Sequence, residues 1–206
     1  MTKHPRRRRP LRTVFTSLLV LVLAVLFVRW DNSALQVTRF DPVFADLPTG
    51  FDGCRIVVLG DLHTASFGEG SAELLDTVRE QEPDYIFFVG DLLDALHEVP
   101  ADYAARTAEG LTAIAPTYYV TGNHEWAIGH VPELKETLTA HGVTVLSNQF
   151  IPLERNGDTV VLAGIDDPNG YADQKSPETV AAEVYTAYGD PFWILLAHRN
   201  SLFQGQ

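Results

Sequence analysis

The chain has 206 residues, enough for one domain with a full core, and its 46% hydrophobic and 20% charged residues are ordinary globular composition. Its formal net charge is −12, but seven of the fifteen basic residues lie in the first 29 positions, and from Asp31 onward 8 basic residues face 27 acidic ones, a net of −19. A body that acidic argues against a nucleic-acid partner, whose phosphates need neutralising cations, and a single cysteine, Cys54, excludes an intrachain disulfide.

Residues 1–12 form a basic head that leads into TVFTSLLVLVLAVLFV, Thr13 to Val28, sixteen residues without a charge. As a helix this run reaches roughly 24 Å, a little short of a ~30 Å hydrocarbon core, with Arg12 and Arg29 placed to snorkel and Trp30 suited to the interface. Residues 13–30 therefore read as a single-pass anchor in contact with membrane lipid. The basic side would be cytoplasmic and the body outside the cytoplasm; a cleaved export signal is the alternative. Residues 31–53 read as a linker and lead-in, with Leu35 to Phe40 a candidate strand.

From residue 54 strands and helices alternate. Strand RIVVL (Arg55–Leu59) precedes a helix from Ser71, its candidate N-cap, to about Gln81, with Leu74, Leu75 and Val78 as the apolar stripe. Strand YIFFV (Tyr85–Val89) precedes a helix over about 101–115. Strand TYYV (Thr117–Val120) precedes a helix from Pro132 to Ala140 with Gly142 past its end, and Thr144–Leu146 is a short strand. FIPLE (Phe150–Glu154) and TVVLAG (Thr159–Gly164) form a hairpin through Asn156-Gly157. Ser176 caps a helix from Pro177 to Tyr188 closed by Gly189, and FWILLA (Phe192–Ala197) is the last strand. The alternation predicts α/β layers with the apolar strands covered on both faces.

The polar groups that break this pattern all stand just past the C-terminal end of an apolar strand. Asp61 and His63 follow the first, Asp91 and Asp94 the second, Asn123 and His124 the third and His198 the last. Open α/β sheets build their sites at that edge. Three carboxylates in one crevice would repel; divalent cations turn the repulsion into coordination, and mixed oxygen and nitrogen donors suit manganese, iron or zinc better than calcium. Singly, each of these residues has an ordinary reading as a turn former, cap or surface histidine; the joint order D-x-H, GD-x-x-D, GNHE does not.

The blocks GDLH, GDLLD, GNHE and LLAH, spanning Asp61 to His198, resemble those of the calcineurin-like metallophosphoesterases, and the basic head with its apolar run resembles the membrane-anchored bacterial branch. The resemblance implies a four-layer α/β/β/α sandwich over residues 54–206. It implies two divalent metal ions, one bound by Asp61 and His63 and the second by Asn123 and His198, with Asp91 bridging. His124 would be the catalytic residue, protonating the leaving oxygen or stabilising charge on the scissile phosphate. Asp94 and Glu125 would stand behind the ligands, with Glu125 placed to orient the His124 ring. Asp166 and Asp167 also follow a strand and read as turn residues rather than ligands, Asp167 placed to border the substrate cleft.

One departure is large. The family closes its site with a Gly-His-x-His block that gives each metal a further histidine, and nothing like it follows His198. The chain is therefore expected to be C-terminally truncated. His97, His130 and His141 read as surface residues rather than replacements. Two ions ~3.5–4 Å apart can share a hydroxide and polarise a phosphoryl oxygen, so no protein nucleophile is needed. The expected activity is hydrolysis of a phosphate mono- or diester, lipid-linked or nucleotide-linked by the resemblance. A non-catalytic metal-binding or partner-binding module of the same fold is the alternative, and a nuclease fits poorly with the acidic body.

Overall fold

The computed structural model describes residues 11–31, 34–96, 102–170 and 174–199, with backbone alone at 11 and 29–31. Chain contacts divide it into two units, 1–41 and 42–206. In the first, helix α1 covers Leu11–Asp31. Its apolar side chains are exposed along the whole run, from Val14 through Leu19 to Val28. Among the described residues no helix is long and apolar enough to cross a membrane. The basic head up to residue 10 lies outside the described residues. The strand expected at Leu35–Phe40 does not form: a strand needs a partner for its backbone ladder, and no described strand pairs with this segment.

The second unit holds two sheets. Strand β1 (Ile56–Leu59) leads to α2 (Ala72–Glu80), β2 (Tyr85–Phe88) to α3 (Tyr103–Thr112), and β3 (Thr117–Tyr119) to α4 (Asn123–Ile128) and α5 (Val131–Ala140), before β4 (Thr144–Val145). These four strands form one parallel sheet in the order β1-β2-β3-β4. Strands β5 (Gln149–Arg155) and β6 (Asp158–Gly164) then form a hairpin, and after α6 (Pro177–Tyr188) strand β7 (Trp193–Leu196) lies parallel to β6 in a second sheet. Asn156 and Gly157 both take positive φ, 51° and 87°, as the two-residue turn requires.

Side-chain alternation builds the layers. Tyr85, Phe87 and Tyr118 of the first sheet and Leu153, Val160, Leu162 and Leu196 of the second bury one another in a single core. Val161, Ala163 and Ile165 turn to the opposite face, where Val180 and Val184 of α6 cover them. Ile86, Phe88 and Tyr119 alternate with these residues along the first sheet and are buried too, as are Val78 of α2, Leu111 of α3 and Leu138 of α5. All four residues of β2 are buried, which is why this strand reads as a continuous apolar run rather than an alternating one.

Two local expectations need correction. Ser71 occupies the N-cap position of α2, but in a left-handed conformation and without a side-chain cap bond. By contrast, the Ser176 Oγ does accept the Thr179 N–H, at 3.3 Å, at the start of α6. Helix α4 was not expected, because six residues are too few to show a helical period.

Candidate metal centre

The loops that follow β1, β2 and β3 run side by side past the sheet edge. The Asp61 N–H donates to Gly90 O, His63 N–H to Asp91 O and Thr64 N–H to Leu92 O, each at 3.0 Å, so the β1 and β2 loops stay laced beyond the ladder. Asp61, His63, Thr64 and Asp91 all have positive φ, between 46° and 60°. Non-glycine residues adopt this region at a cost, and such positions cluster at functional sites. Gly90 and Gly122 permit the closest approach: a Cβ on Gly90 would strike the Gly122 backbone, and one on Gly122 would strike the Asp91 carboxylate.

Asp91 is the centre of the arrangement. Its side chain is 4% exposed; Oδ2 lies 3.6 Å from His63 Nε2 and 3.4 Å from His198 Nε2. Its Oδ1 accepts the His124 backbone N–H at 2.9 Å. His63 Nε2 is also 3.6 Å from Asp61 Oδ1, and His198 Nε2 is 3.3 Å from Asn123 Oδ1. Two overlapping groups, His63 with Asp91 and His124, and Asp61 with Asp91 and His198, bring their donor atoms within 4.8 Å of one another. The five expected ligands Asp61, His63, Asp91, Asn123 and His198 are thus together. Pairing Asp61 with His63 and pairing it with His198 both have the required reach.

Hydrogen bonding decides how two of the rings are presented. His198 Nδ1 lies 2.7 Å from the Val89 carbonyl, which can only accept, so the ring proton sits on Nδ1 and the Nε2 lone pair faces Asn123 Oδ1 and Asp91 Oδ2. Acceptors facing acceptors in a buried place call for a cation between them, and a histidine oriented by a backbone carbonyl is the usual arrangement behind a metal ligand. The residues present therefore fit divalent ions. His124 is held the other way round. The Ala95 N–H donates to its Nδ1 at 3.0 Å, which puts the proton of the neutral ring on Nε2. Its ring packs edge-on to that of His63, centroids 4.4 Å apart.

The groups behind the ligands differ in part from expectation. Asp94 does stand beside His124, with Oδ1 3.6 Å from Nδ1. The Glu125 carboxylate does not orient the His124 ring. It accepts three backbone N–H groups, from Asp91 at 3.0 Å, Leu93 at 3.0 Å and Gly122 at 2.7 Å, and at 1% exposure it joins the β2 and β3 loops from behind. Among the described residues the buried Tyr119 hydroxyl has no partner in hydrogen-bond geometry. Burial, followed by the Glu125, Asp166 and Asp91 carboxylates, pushes its pKa well above 10.

Asp167 is buried and clamped by Arg199, which donates through Nε at 2.5 Å and Nη2 at 3.1 Å. Asp166 is not a simple turn residue: it takes an ion pair from Lys135 at 2.7 Å and a hydrogen bond from Thr121 at 2.6 Å. Reasoning from sequence missed Thr121 and Lys135; a threonine at a strand end and a lysine on a helix carry no local mark. His130 is 80% exposed beside Glu133 and His141 is exposed at the end of α5, both as expected, while His97 lies outside the described residues.

Comparison with known proteins agrees with this geometry. The calcineurin-like phosphoesterase profile matches residues 54–204. A zebrafish (Danio rerio) transmembrane protein with metallophosphoesterase domain is 30% identical over 76% of this chain and 37% of its own length. A putative metallophosphoesterase of Caenorhabditis elegans is 31% identical over 88% of this chain and 39% of its own. An uncharacterised metallophosphoesterase of Bacillus subtilis, YkoQ, is 26% identical over 90% and 68%. The chain thus spans about two-fifths of the length of the zebrafish and nematode relatives. Among solved structures, the NAD nucleotidase of Haemophilus influenzae shares the fold with a TM-score of 0.50 at 19% identity, over 72% of this chain and 34% of that one. With the profile matched from 54 to 204 and the donor set of Asp61, His63, Asp91, Asn123 and His198 gathered at one sheet edge, the chain belongs to the calcineurin-like phosphoesterase family, whose members are metal-dependent phosphoester hydrolases.

Proposed function

We propose that this chain hydrolyses a phosphate mono- or diester with water as the nucleophile, and that Asp61, His63, Asp91, Asn123 and His198 hold two divalent ions, manganese, iron or zinc. The observation that carries the reading is the convergence of His63 Nε2 and His198 Nε2 on the buried Asp91 Oδ2, at 3.6 and 3.4 Å. Divalent ions bound there would supply Lewis acidity toward a phosphoryl oxygen and lower the pKa of water toward ~7. Asp91, placed between His63 and His198, would help hold both ions. The Val89 carbonyl keeps His198 Nε2 free to ligate. The Ala95 N–H keeps His124 Nε2–H outward as a donor, aimed at the oxygen on which charge develops as the ester P–O bond breaks. Asp94 Oδ1 stands 3.6 Å from the same Nδ1.

The substrate is read as a lipid-linked or nucleotide-linked phosphate ester outside the cytoplasm, with no nucleic-acid partner. The basic head and the charge-free run from Thr13 to Val28 support a single-pass anchor with a cytoplasmic N-terminus, and two relatives carry the name transmembrane protein. A reporter active only outside the cytoplasm, fused after Gln206, should be active; a silent one with an active cytoplasmic reporter sinks this topology. The activity is tested by assaying the full-length protein with Mn²⁺ against phosphomonoesters, phosphodiesters and phospholipids. Turnover in at least one class is expected. A protein that binds Mn²⁺ and turns over nothing is a binding module instead.

A further inference from the structure

The metal-centre reading assigns no role to a buried polar network beside the site. Its hub is Asp166, whose side chain is 2% exposed. One carboxylate oxygen, Oδ2, accepts from Lys135 Nζ at 2.7 Å, from Ser147 Oγ and from Asn148 Nδ2 at 3.5 Å. The other, Oδ1, accepts from Thr121 Oγ1 at 2.6 Å. The Asp166 N–H donates in turn to Asn148 Oδ1 at 3.0 Å. Lys135 also reaches Ser147 Oγ at 2.6 Å and sits 5.3 Å above the Trp126 ring. Removing both charges from water costs several kcal/mol per ion before attraction offsets it, so a buried pair like this one is poor evidence of stabilisation for its own sake.

Its geometry offers another reason. Thr121 donates its one hydroxyl proton to Asp166, which fixes the direction of its lone pairs. Those lone pairs accept the Trp126 Nε1–H at 2.9 Å and the Asp167 N–H at 3.3 Å. Thr121 is fully buried and precedes Asn123 by two residues. On the other side of it, the Gly122 N–H is held by Glu125 at 2.7 Å. The segment that delivers Asn123 and His124 is therefore gripped at Thr121 by charge-assisted bonding and at Gly122 by a buried carboxylate.

We propose that Asp166, with Lys135 as its counter-ion, is a positioning residue that acts through Thr121 to place the Asn123 side chain beside His198. The inference rests on the metal-centre reading. It is tested on the full-length protein with Mn²⁺ alone, by calorimetric titration resolved into two binding steps. Thr121→Val keeps the shape and removes the hydroxyl. It should weaken the same step that Asn123→Ala weakens, by about 10–100-fold, as loss of a group orienting a ligand typically does. The double variant should be no worse than Asn123→Ala, because both act through one ligand. Thr121→Ser should restore wild-type binding, and Asp166→Asn should reproduce the Thr121→Val pattern. Equal weakening of both steps, additive losses in the double variant, or an unchanged isotherm each overturn the inference. A wild type that takes up no Mn²⁺ overturns the metal-centre reading itself, and this inference with it.

Discussion

The Glu125 carboxylate holds the backbone N–H of Asp91 at 3.0 Å, thirty-four residues away in sequence. With the Leu93 and Gly122 N–H groups on the same side chain, one buried acid satisfies three donors that have no ladder partner at the sheet edge. Glu125→Ala would strand all three. At ~1–3 kcal/mol for each unsatisfied buried group, the variant should lose at least about 3 kcal/mol of stability. Glu125→Gln keeps the oxygen that serves Asp91 and Gly122 but turns an amide N–H toward that of Leu93, so it should lose about 1–3 kcal/mol. Denaturant unfolding measures both. Equal losses for Ala and Gln would show that the three-way bonding is not what Glu125 contributes.

Asp91 Oδ2 faces His63 and His198 at once, whereas among the described residues Asn123 Oδ1 faces His198. Asp91→Asn should therefore lower metal content more than Asn123→Ala does. Elemental analysis after dialysis is the measurement, and full occupancy in Asp91→Asn would refute the bridging role.

Strand β2 and the β5–β6 hairpin were legible because their signals are local: an unbroken apolar run for one, Asn156-Gly157 between apolar segments for the other. The ligands were legible because each follows such a strand. What escaped depends on contacts between distant segments. Lys135 and Asp166 meet from a helix and a loop thirty-one residues apart. Glu125 was placed near the site, yet its partners are backbone groups, and backbone carries no sequence signature. Leu35–Phe40 shows the reverse failure, a strand-like pattern with no neighbour to pair it.

Cys54 gives a pH-dependent prediction away from the site. Burial first, then the nearby Asp84 carboxylate, pushes its thiol from 9.0 up to about 11. The folded state therefore favours the protonated thiol. That contribution to stability is complete below pH 9 and fades as pH rises through about 11. The thiolate is the reactive form, and the raised pKa makes it scarcer near neutrality. Iodoacetamide should label Cys54 far more slowly in the native protein than after denaturation, and Asp84→Asn should speed native labelling. Equal native and denatured rates would contradict the shift.

His124 separates chemistry from metal binding. Its Nδ1 accepts the Ala95 N–H and its own N–H is bound by Asp91 Oδ1, so Nε2–H is the one polar edge left to meet a substrate. A hydrogen bond from a well-placed donor to charge that develops in the transition state is worth typically ~10²–10³-fold in rate. In the full-length protein His124→Ala should therefore retain both metals by elemental analysis and lose activity on that order. If Nε2–H serves the leaving oxygen, the loss should shrink for nitrophenyl esters, whose leaving groups need little help. If it serves a non-bridging phosphoryl oxygen, the loss should be the same for good and poor leaving groups. Loss of metal in His124→Ala would instead make His124 a ligand, as its reach to His63 and Asp91 allows. Full activity on an alkyl ester would remove it from the chemistry altogether.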